Sequence, residues 1–387
     1  MKVLISTGIF PPDIGGPATY VPIMAEALAA RGALVTVLTL SEDPRPDGRS
    51  YPFQVIRIPR RRLGIRRMAE VISRIGALAR RHDLLFAPGL PIETALAARC
   101  TRKPYVLKVV GDLVWERARV LGAVTDDLET FQARRYGLST ELHRRAQACA
   151  ARRAARVIVP SAYLQRIVRG WGVPEERTAL IPNFTPVVLG GTGDVSPTAN
   201  ERGALPRKSL VVTAARLVPW KGVEQVIRAV AALEGIELCI VGEGPERARL
   251  EAVAASVRCP ARFLGQVAHA EVLEILRQAD VLVLNSGYEG HPHVALEAMA
   301  LGVPVIARAA GGTPELVRHR ETGLLLPTGT EQETAEAIQE LLSDSGLRDR
   351  LARQGRALAA SFTLDCTADR TWRVLQEARS EFERARK

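Results

Sequence analysis

The chain has 387 residues, of which 47% are hydrophobic and 25% charged, a composition typical of soluble globular proteins. Its length favours two α/β domains over one core. No apolar run approaches the roughly 18 residues of a membrane span. The short apolar run after Met1 ends before Pro11 and Pro12, so a signal peptide is not expected. The five cysteines lack metal-ligand spacing and predict buried, reduced thiols.

The formal charge of +11 is concentrated between Arg57 and Arg81, where nine arginines accompany one acid, Glu70. Apolar residues recur there at helical spacing on one side, namely Ile65, Met68, Ile72, Ile75 and Ala79. The segment Arg60–Arg81 is therefore expected either to contact an anionic membrane surface or to pack on the core with a solvated arginine face. No nucleic-acid partner is expected, because the basic segments lack interleaved aromatic residues.

Short β-type apolar runs alternate with helical patterns along most of the chain. Seven runs predict the strands of a first sheet: Val3–Ser6, Leu34–Leu40, Phe53–Ile58, Leu84–Ala87, Tyr105–Val110, Val157–Pro160 and Ala179–Ile181. Helices predicted between them include Ala18–Ala30, Met68–Arg81 and Tyr163–Gly170. Glycine and proline then interrupt the pattern, and residues 187–207 are predicted to be a linker.

A second series of six runs follows: Ser209–Ala214, Ile236–Val241, Ala261–Leu264, Val281–Leu284, Val303–Ala307 and Gly323–Leu326. Five predicted helices separate them: Val223–Leu233, Pro245–Val257, His269–Gln278, Val294–Leu301 and Glu331–Leu342. Strict β–α alternation predicts an α/β fold with a doubly wound, Rossmann-like parallel sheet in each half and ligands at the carboxyl ends of the strands. The predicted domains are 1–186 and 208–365, facing each other across a cleft.

Two cations, Arg216 and Lys221, follow the predicted strand Ser209–Ala214 around a turn. An arginine fork and a lysine point charge placed this way can clamp a diphosphate. The alternative is that Lys221 stays solvated at a helix start. A helix N-terminus disfavours cations, so their presence there indicates a bound anion.

Glu289 and Glu297 lie eight positions apart. The first is predicted in a loop after a strand, and the second on the helix that follows. Free backbone N–H groups and the helix dipole converge at such a place, and a glutamate there can hold the hydroxyl groups of a sugar. The alternative is that both are solvated charges. Gly242 and Gly244 follow another strand and would let a ligand approach the backbone, although such a pair is a weak signal.

In the first half, Gly15 and Gly16 follow the first strand and precede a helix, which favours either a phosphate contact or a tight turn without ligand. Asp112 follows the run Tyr105–Val110. It is expected either to contact a sugar or acceptor, or to cap the next helix.

Taken together, the segments of the second half resemble the second domain of the retaining glycosyltransferases of family 4, which have the GT-B fold. The resemblance covers nearly the whole chain. It rests on Arg216-Leu…Lys221-Gly222, Gly242-Glu243-Gly244-Pro245, Glu289 to Glu297 with Ala298-Met299-Ala300, and Gly302-x-Pro304-Val305-Ile306-Ala307. A last helix over 366–387 is expected to return to the first domain.

The resemblance implies a role for each matching position. Arg216 and Lys221 would neutralise the donor diphosphate, Glu289 would hold donor-sugar hydroxyls, and Glu297 would bind the ribose. Backbone groups would contact the rest of the donor. Those of Gly265 to Val267 would meet the base, and those near His291, Pro292, His293 and Val294 would meet the sugar and phosphates. The backbone of Gly16 would face the diphosphate. Many members carry a His-Asp pair where this chain has Gly111-Asp112.

The resemblance thus implies a retaining hexosyltransferase that uses a nucleotide-diphosphate sugar and a glycan, glycolipid or lipid-linked acceptor in cell-surface polysaccharide biosynthesis. No cofactor and no metal are expected, since His291 and His293 lack a third ligand and no D-x-D follows a strand. The predicted location is cytoplasmic, either free or peripheral at the inner face of the membrane. The alternatives are a nucleotide-sugar epimerase or inverting transferase on this fold, or a non-catalytic basic protein that binds membrane or nucleic acid.

Overall fold

The computed structural model describes residues 1–13, 15–42, 45, 48–60, 64–185 and 208–386. It divides into two compact units. Unit 1 comprises Met1–Glu116, Glu129–Pro182 and Leu364–Lys387, and unit 2 comprises Arg117–Leu128 and Asn183–Thr363. The predicted linker, 187–207, lies outside the described residues, so its boundaries stay predictions.

Unit 1 is built on a seven-stranded sheet in which all pairs are parallel. The strand order is β3-β2-β1-β4-β5-β6-β7. All seven predicted strands are confirmed: β1 (Lys2–Thr7), β2 (Leu34–Ser41), β3 (Gln54–Pro59), β4 (Leu84–Ala87), β5 (Tyr105–Lys108), β6 (Arg156–Val159) and β7 (Thr178–Leu180).

Unit 2 repeats this topology with six parallel strands in the order β10-β9-β8-β11-β12-β13. The six predicted runs are all strands: β8 (Ser209–Ala214), β9 (Ile236–Val241), β10 (Ala261–Gly265), β11 (Val281–Leu284), β12 (Val305–Arg308) and β13 (Leu324–Leu326). Both sheets therefore reverse direction beside their first strand, as doubly wound sheets do.

Helices cover both sheets. They are α1 (Gly16–Ala30), α2 (Gly64–Ala79), α3 (Pro91–Thr101), α4 (Leu113–Val120), α5 (Leu128–Ala133), α6 (Leu138–Arg153), α7 (Ala162–Gly170), α8 (Val223–Ala231), α9 (Arg247–Ser256), α10 (His269–Gln278), α11 (His293–Ala300), α12 (Thr313–Leu316), α13 (Glu331–Ser343), α14 (Ser345–Ala359) and α15 (Leu364–Arg384). The predicted helices are present, with their ends moved by a few residues.

The core of unit 2 shows why these apolar runs form strands. Leu210, Val212 and Ala214 of β8 join the core on one face of the sheet, whereas Val211 joins the core on the other. Alternate residues of a strand point to opposite faces. A parallel sheet covered by helices on both faces buries both sets, which explains the continuous rather than alternating apolar pattern.

Helix α15 belongs to unit 1. Its residues Val374, Leu375 and Ala378 are buried, and it contacts α1 and strands β4 to β6. Two ion pairs fasten it at either end: Arg31 Nε lies 2.7 Å from Asp369 Oδ1, and Arg156 pairs with Glu381. The end of the chain thus completes the helical layer over the first sheet.

The basic segment is divided between structural and exposed arginines. Arg60 donates to Asp13 Oδ2 at 2.8 Å and to the Gly8 carbonyl at 2.9 Å. Arg57 donates to the Pro11 carbonyl at 2.6 Å. These two side chains hold the loop after β1 and do not form part of an exposed basic face. Arg61 and Arg62 lie outside the described residues.

On α2 the buried stripe is Val71, Ile75 and Ala79, while Met68 is 38% exposed. The face that packs on the core thus includes Val71, which the apolar side read from the sequence did not contain, and leaves Met68 exposed. The prediction of buried cysteines also fails for Cys100 and Cys366, which are exposed free thiols. Among the described residues, no helix is both long enough and apolar enough to cross a membrane.

Candidate functional site

The second sheet reverses its strand order between β8 and β11, and a doubly wound fold is expected to form its ligand crevice at the carboxyl edge there. Strands β8 and β11 are neighbours there, and their loops start out on opposite sides of the reversal point. Gly287 N donates to the Trp220 carbonyl at 2.7 Å, which ties the loop after β11 to the loop after β8. Asn285 Nδ2 donates to the Gly329 carbonyl at 2.8 Å and thereby joins a third loop, the one after β13.

Lys221 and Glu289 meet at this crevice. Lys221 Nζ lies 2.5 Å from Glu289 Oε1, and the two side chains are 16% and 15% exposed. Lys221 ends a short 3₁₀ turn, Pro219–Lys221, and Gly222 follows with φ +60°. A Cβ on Gly222 would lie 2.1 Å from the Asn285 carbonyl oxygen, so only glycine permits this approach. Low exposure strengthens the ion pair, because the pair is only weakly screened by water.

Arg216 lies on the same loop, with an exposed side chain. Within the described ranges it forms no ion pair with a carboxylate. Arg216, Lys221 and Glu289 together carry two positive charges and one negative charge, so the cluster keeps a net positive charge. A guanidinium and an ammonium group on one loop are suited to a phosphate group. The structure therefore brings three of the predicted site residues to one edge of one sheet.

The backbone of Glu289 is fixed by the loop after β12. Gly312 N donates to the Glu289 carbonyl at 2.8 Å. A Cβ on Gly311, whose φ is +60°, would lie 2.2 Å from that same oxygen. The Gly311-Gly312 pair thus allows two loops to touch, and this contact sets the position from which the Glu289 side chain reaches Lys221.

Glu297 is buried on α11, with 4% of its surface exposed. Its Oε1 lies 2.9 Å from Nε2 of His269, the first residue of α10. This hydrogen bond raises the pKa of His269, although burial of the ring acts in the opposite direction. Sequence reasoning missed His269, because a partner 28 residues away carries no spacing signal. The ribose role of Glu297 remains a prediction.

The amino end of α11 points N–H groups out of the helix. Pro292 is its N-cap and His293 its first residue, and the first turn of a helix leaves N–H groups without intrahelical partners. His291 is buried, and its ring packs edge-on to Phe362 with centroids 5.5 Å apart. The imidazole thus packs within this loop, and anion binding by the N–H groups of His293 and Val294 remains a prediction.

The packing of two loops explains why glycines follow β9, and the sequence alone did not indicate this contact. A Cβ on Gly242 would lie 1.9 Å from the Ala215 carbonyl oxygen, and one on Gly244 would lie 2.1 Å from that of Leu217. These glycines let the loop after β9 pack on the loop after β8, the loop that carries Arg216. Gly265 has φ +71° and Val267 is partly buried against the core.

In unit 1, Gly15 is the N-cap of α1 with φ +146°, a conformation that favours glycine. Gly16 begins the helix, and a Cβ there would have no atom within 4 Å. No described side chain therefore requires glycine at Gly16, and its contact with a phosphate remains a prediction. Ile14, which precedes the pair, lies outside the described residues.

Asp112 is buried and makes four hydrogen bonds: Oδ1 accepts from Val114 N, Trp115 N and Gln147 Nε2, and Oδ2 accepts from Gln132 Nε2, all at 2.8–3.1 Å. The two backbone donors belong to the first turn of α4, so Asp112 caps that helix. Of the two expectations for this residue, the structure shows the cap. Contact with a sugar or acceptor remains a prediction.

Comparison with known proteins identifies both halves of the chain. The family model described as Glycosyl transferase 4-like domain matches residues 15–183, and the one described as Glycosyl transferases group 1 matches residues 197–358. The lipopolysaccharide core biosynthesis glycosyltransferase LpsE of Rhizobium meliloti is 31% identical over 52% of this chain. That match spans 57% of LpsE, so the chain covers little more than half of this relative.

Solved structures show the same fold over almost the whole chain. Sucrose-phosphate synthase from Thermosynechococcus elongatus superposes with a TM-score of 0.79 at 24% identity, over 97% of this chain and 98% of its own. HepE of Anabaena, solved in complex with UDP-glucose, gives 0.74 at 23% identity, over 98% and 100%. The two family models together span most of the chain, which belongs to the group 1 glycosyl transferases and has their two Rossmann-like domains of the GT-B type.

Proposed function

We propose that this protein is a retaining glycosyltransferase that moves a hexosyl group from a nucleotide-diphosphate sugar to a glycan, glycolipid or lipid-linked acceptor. The observation that carries this proposal is the cluster of Arg216, Lys221 and Glu289 at the crevice of unit 2. It combines a net positive charge for a diphosphate with a carboxylate for sugar hydroxyls. Membership of the family supports the same conclusion.

In the proposed reaction the bond between the anomeric carbon and the diphosphate oxygen breaks, and an acceptor oxygen bonds to that carbon on the same face. The acceptor proton passes to the departing phosphate. Negative charge grows on the diphosphate as it leaves, and Arg216 and Lys221 stabilise it. Lysine has three N–H donors, so Lys221 can keep its bond to Glu289 while it contacts a phosphate oxygen. Glu289 accepts hydrogen bonds from the sugar with its remaining lone pairs.

Retention is supported by the environment of the carboxylates. An inverting transferase needs a general base that takes a proton from the acceptor. Asp112 is the carboxylate predicted on the acceptor side, but its oxygens already accept four hydrogen bonds within unit 1. A metal-independent reaction is proposed because the cations Arg216 and Lys221 can supply the charge that a metal would provide.

For the donor, uridine diphosphate sugars are the first candidates, since HepE was solved with UDP-glucose. For the acceptor, a cell-surface glycan is favoured by the similarity to LpsE, named for lipopolysaccharide core biosynthesis. We propose a cytoplasmic protein that works at the inner face of the membrane. Two surfaces of unit 1 support this location.

The first surface is the arginine face of α2, where Arg66 and Arg74 are exposed together with Arg80 beyond its end. The second is on α6, where Leu138 and Leu142 lie one turn apart and are 85% and 63% exposed. Cationic and apolar side chains of this kind suit contact with anionic lipid.

The catalytic proposal is tested by screening nucleotide-diphosphate sugars for thermal stabilisation, because a ligand that binds the folded chain raises its melting temperature. The donor found is then supplied with acceptors, and the anomeric configuration of the product is read by NMR. A product with the donor's configuration is expected. An inverted product would contradict retention, and stabilisation by no nucleotide sugar would contradict the function.

Membrane contact is tested by sedimentation with phosphatidylglycerol vesicles. The variant Arg66→Gln, Arg74→Gln, Arg80→Gln is expected to bind several-fold less than the unmodified protein. A matched control removes three exposed arginines of unit 2: Arg258→Gln, Arg350→Gln, Arg353→Gln. Equal losses in the two variants would show a dependence on net charge alone and would contradict a specific role for α2.

A further inference from the structure

A cavity of about 440 Å³ lies in unit 1 at the amino end of β5. It is lined by the start of this strand, Tyr105, and by residues near the ends of α3, α6 and α15. Asp112 follows the carboxyl end of the same strand. The cavity is therefore at the opposite edge of the first sheet from the residues predicted to face substrate, and its volume lies within the range of small-molecule sites.

Five cations and no carboxylate line this cavity: Arg99, Arg102, Lys103, Arg153 and Arg386. In the part of the chain that the structure describes, none of the five forms an ion pair with an acid. Another cavity of unit 1, of about 370 Å³, shows a different balance, because Asp112 and Glu141 line it together with its arginines. There Arg144 pairs with Glu141 at 2.8 Å.

The dipoles of the neighbouring helices offset only part of this positive charge. Three helices, α3, α6 and α15, end near the cavity, and each carboxyl end carries about half a negative charge. Together they offset roughly one and a half of the five positive charges. About three and a half positive charges remain in excess, so the cavity attracts anions even after the helix ends are considered.

Part of the cavity wall is apolar. Ala95, Ala98 and the half-buried ring of Phe382 contribute carbon surface. The Tyr105 hydroxyl donates to the Ala150 carbonyl at 2.7 Å, which holds that ring in place. The Arg386 guanidinium lies 5.6 Å from the centre of the Phe382 ring. A guanidinium on an aromatic face beside other arginines is suited to a phosphate attached to an apolar group.

We propose that this cavity binds a phosphorylated ligand, either a soluble phosphate compound or the headgroup of an anionic lipid. Arginine forks would hold the phosphate oxygens, and the wall of Phe382 would hold the attached carbon atoms. This site is separate from the Arg216 cluster, and the proposal does not depend on the catalytic function.

The test compares two triple variants of the full-length protein. The cavity variant carries Arg99→Gln, Arg102→Gln and Arg153→Gln, and the control variant carries Arg258→Gln, Arg350→Gln and Arg353→Gln. Each removes three positive charges from exposed arginines. Each also changes one residue with positive φ, namely Arg102 at +52° or Arg258 at +54°. Both retain Arg216 and Lys221, so binding of phosphate there contributes equally.

Two probes separate the sources of the phosphate. Inorganic diphosphate is titrated by calorimetry, and phosphatidylglycerol vesicles are used in sedimentation with phosphatidylcholine vesicles as reference. A loss of about tenfold in diphosphate affinity, in the cavity variant only, would support a soluble ligand. A selective loss of phosphatidylglycerol binding would support a lipid headgroup.

The proposal is overturned if neither probe distinguishes the cavity variant from the control. The arginines would then serve only the helix ends, and the cavity variant would show a lower melting temperature with unchanged binding. Circular dichroism of both variants establishes that they are folded, so a loss of binding is not a loss of structure.

Discussion

The two units have the same sheet topology but place charge differently at the carboxyl ends of their strands. In unit 2, Lys221 and Glu289 pair at the mouth of the crevice and stay partly exposed. In unit 1, Asp112 is 1% exposed and its carboxylate accepts four hydrogen bonds, and Lys108 is buried at the end of β5. Two sheets of similar topology thus carry a partly exposed ion pair in unit 2 and a buried, hydrogen-bonded carboxylate in unit 1, and the difference lies in the loops.

Removing the carboxylate of Glu289 is the most direct test of the difference between the two units. Glu289→Gln preserves the side-chain shape but removes the charge that faces Lys221 and the proposed sugar. Transfer is expected to fall by about 10²-fold or more, as when a group that acts on the reacting sugar is lost. The measurement is the rate of sugar transfer at saturating donor.

A carboxylate in unit 2 that forms none of these contacts provides the control. Glu271 is exposed in the first turn of α10, and Glu271→Gln should keep the activity of the unmodified protein. Normal turnover by a folded Glu289→Gln protein would remove this residue from the proposed mechanism.

Lys221→Ala separates the phosphate contact from the rest of the donor. The affinity for a nucleoside diphosphate should fall by roughly tenfold to 100-fold, since a charge-assisted contact contributes about 1.5–3 kcal/mol. The affinity for the nucleoside alone should change little. Both are measured by calorimetry, with Lys208→Ala, an exposed lysine just before β8, as the matched control. Equal losses for the two ligands would contradict a phosphate clamp.

The sequence predicts these positions well because they are tied to the strands. Arg216 and Glu289 lie in the loops that follow apolar runs, and the alternation of these runs with helices identifies the sheet and its carboxyl edge. By contrast, the partners of Glu297 and Asp112 could not be predicted. Hydrogen bonds from His269 or Gln132 depend on how separate helices pack, and neither spacing nor composition encodes that. Gly242 illustrates a third case: its position after a strand is visible in the sequence, but its contact with the loop after β8, which requires glycine, is not.

Lys108 shows that hydrogen bonding at this edge of unit 1 is incomplete. Its Nζ is buried without a hydrogen-bond partner in the described residues and lies 4.5 Å from the centre of the Tyr20 ring. Burial lowers the pKa of Lys108 from 10.5 to about 7. Below pH 7 the folded protein bears the whole cost of a buried charge. That cost declines as the pH rises from about 7 to 10.5, since the folded amine is neutral there while the unfolded amine is still charged.

Lys108→Met is therefore expected to raise the melting temperature by a few degrees at pH 7, because about 1 kcal/mol corresponds to roughly 2–4 °C in a domain of this size. The gain should shrink as the pH approaches 10. Thermal melts of both proteins between pH 6 and 10 measure it. A Met variant less stable than the unmodified protein throughout this range would show that the amine is held by a favourable interaction.

The smallest expected effect concerns the pair of His269 and Glu297 in unit 2. The hydrogen bond to Glu297 raises the pKa of His269 above its usual 6.5. The stabilisation from this pair is then complete below pH 6.5 and is lost as the pH rises through the raised pKa. Glu297→Gln should lower the pKa of His269, since burial of the ring then acts without the carboxylate. NMR titration of the His269 ring proton in both proteins measures the shift.

The same titration bears on the predicted ribose contact. A ribose hydroxyl that donates to Glu297 would share the carboxylate with His269, so a bound nucleoside diphosphate should also lower the pKa of His269 in the unmodified protein. If the ligand binds and this pKa does not move, Glu297 is a buried structural partner of α10. The proposed donor-binding side chains of unit 2 are then Arg216, Lys221 and Glu289 alone.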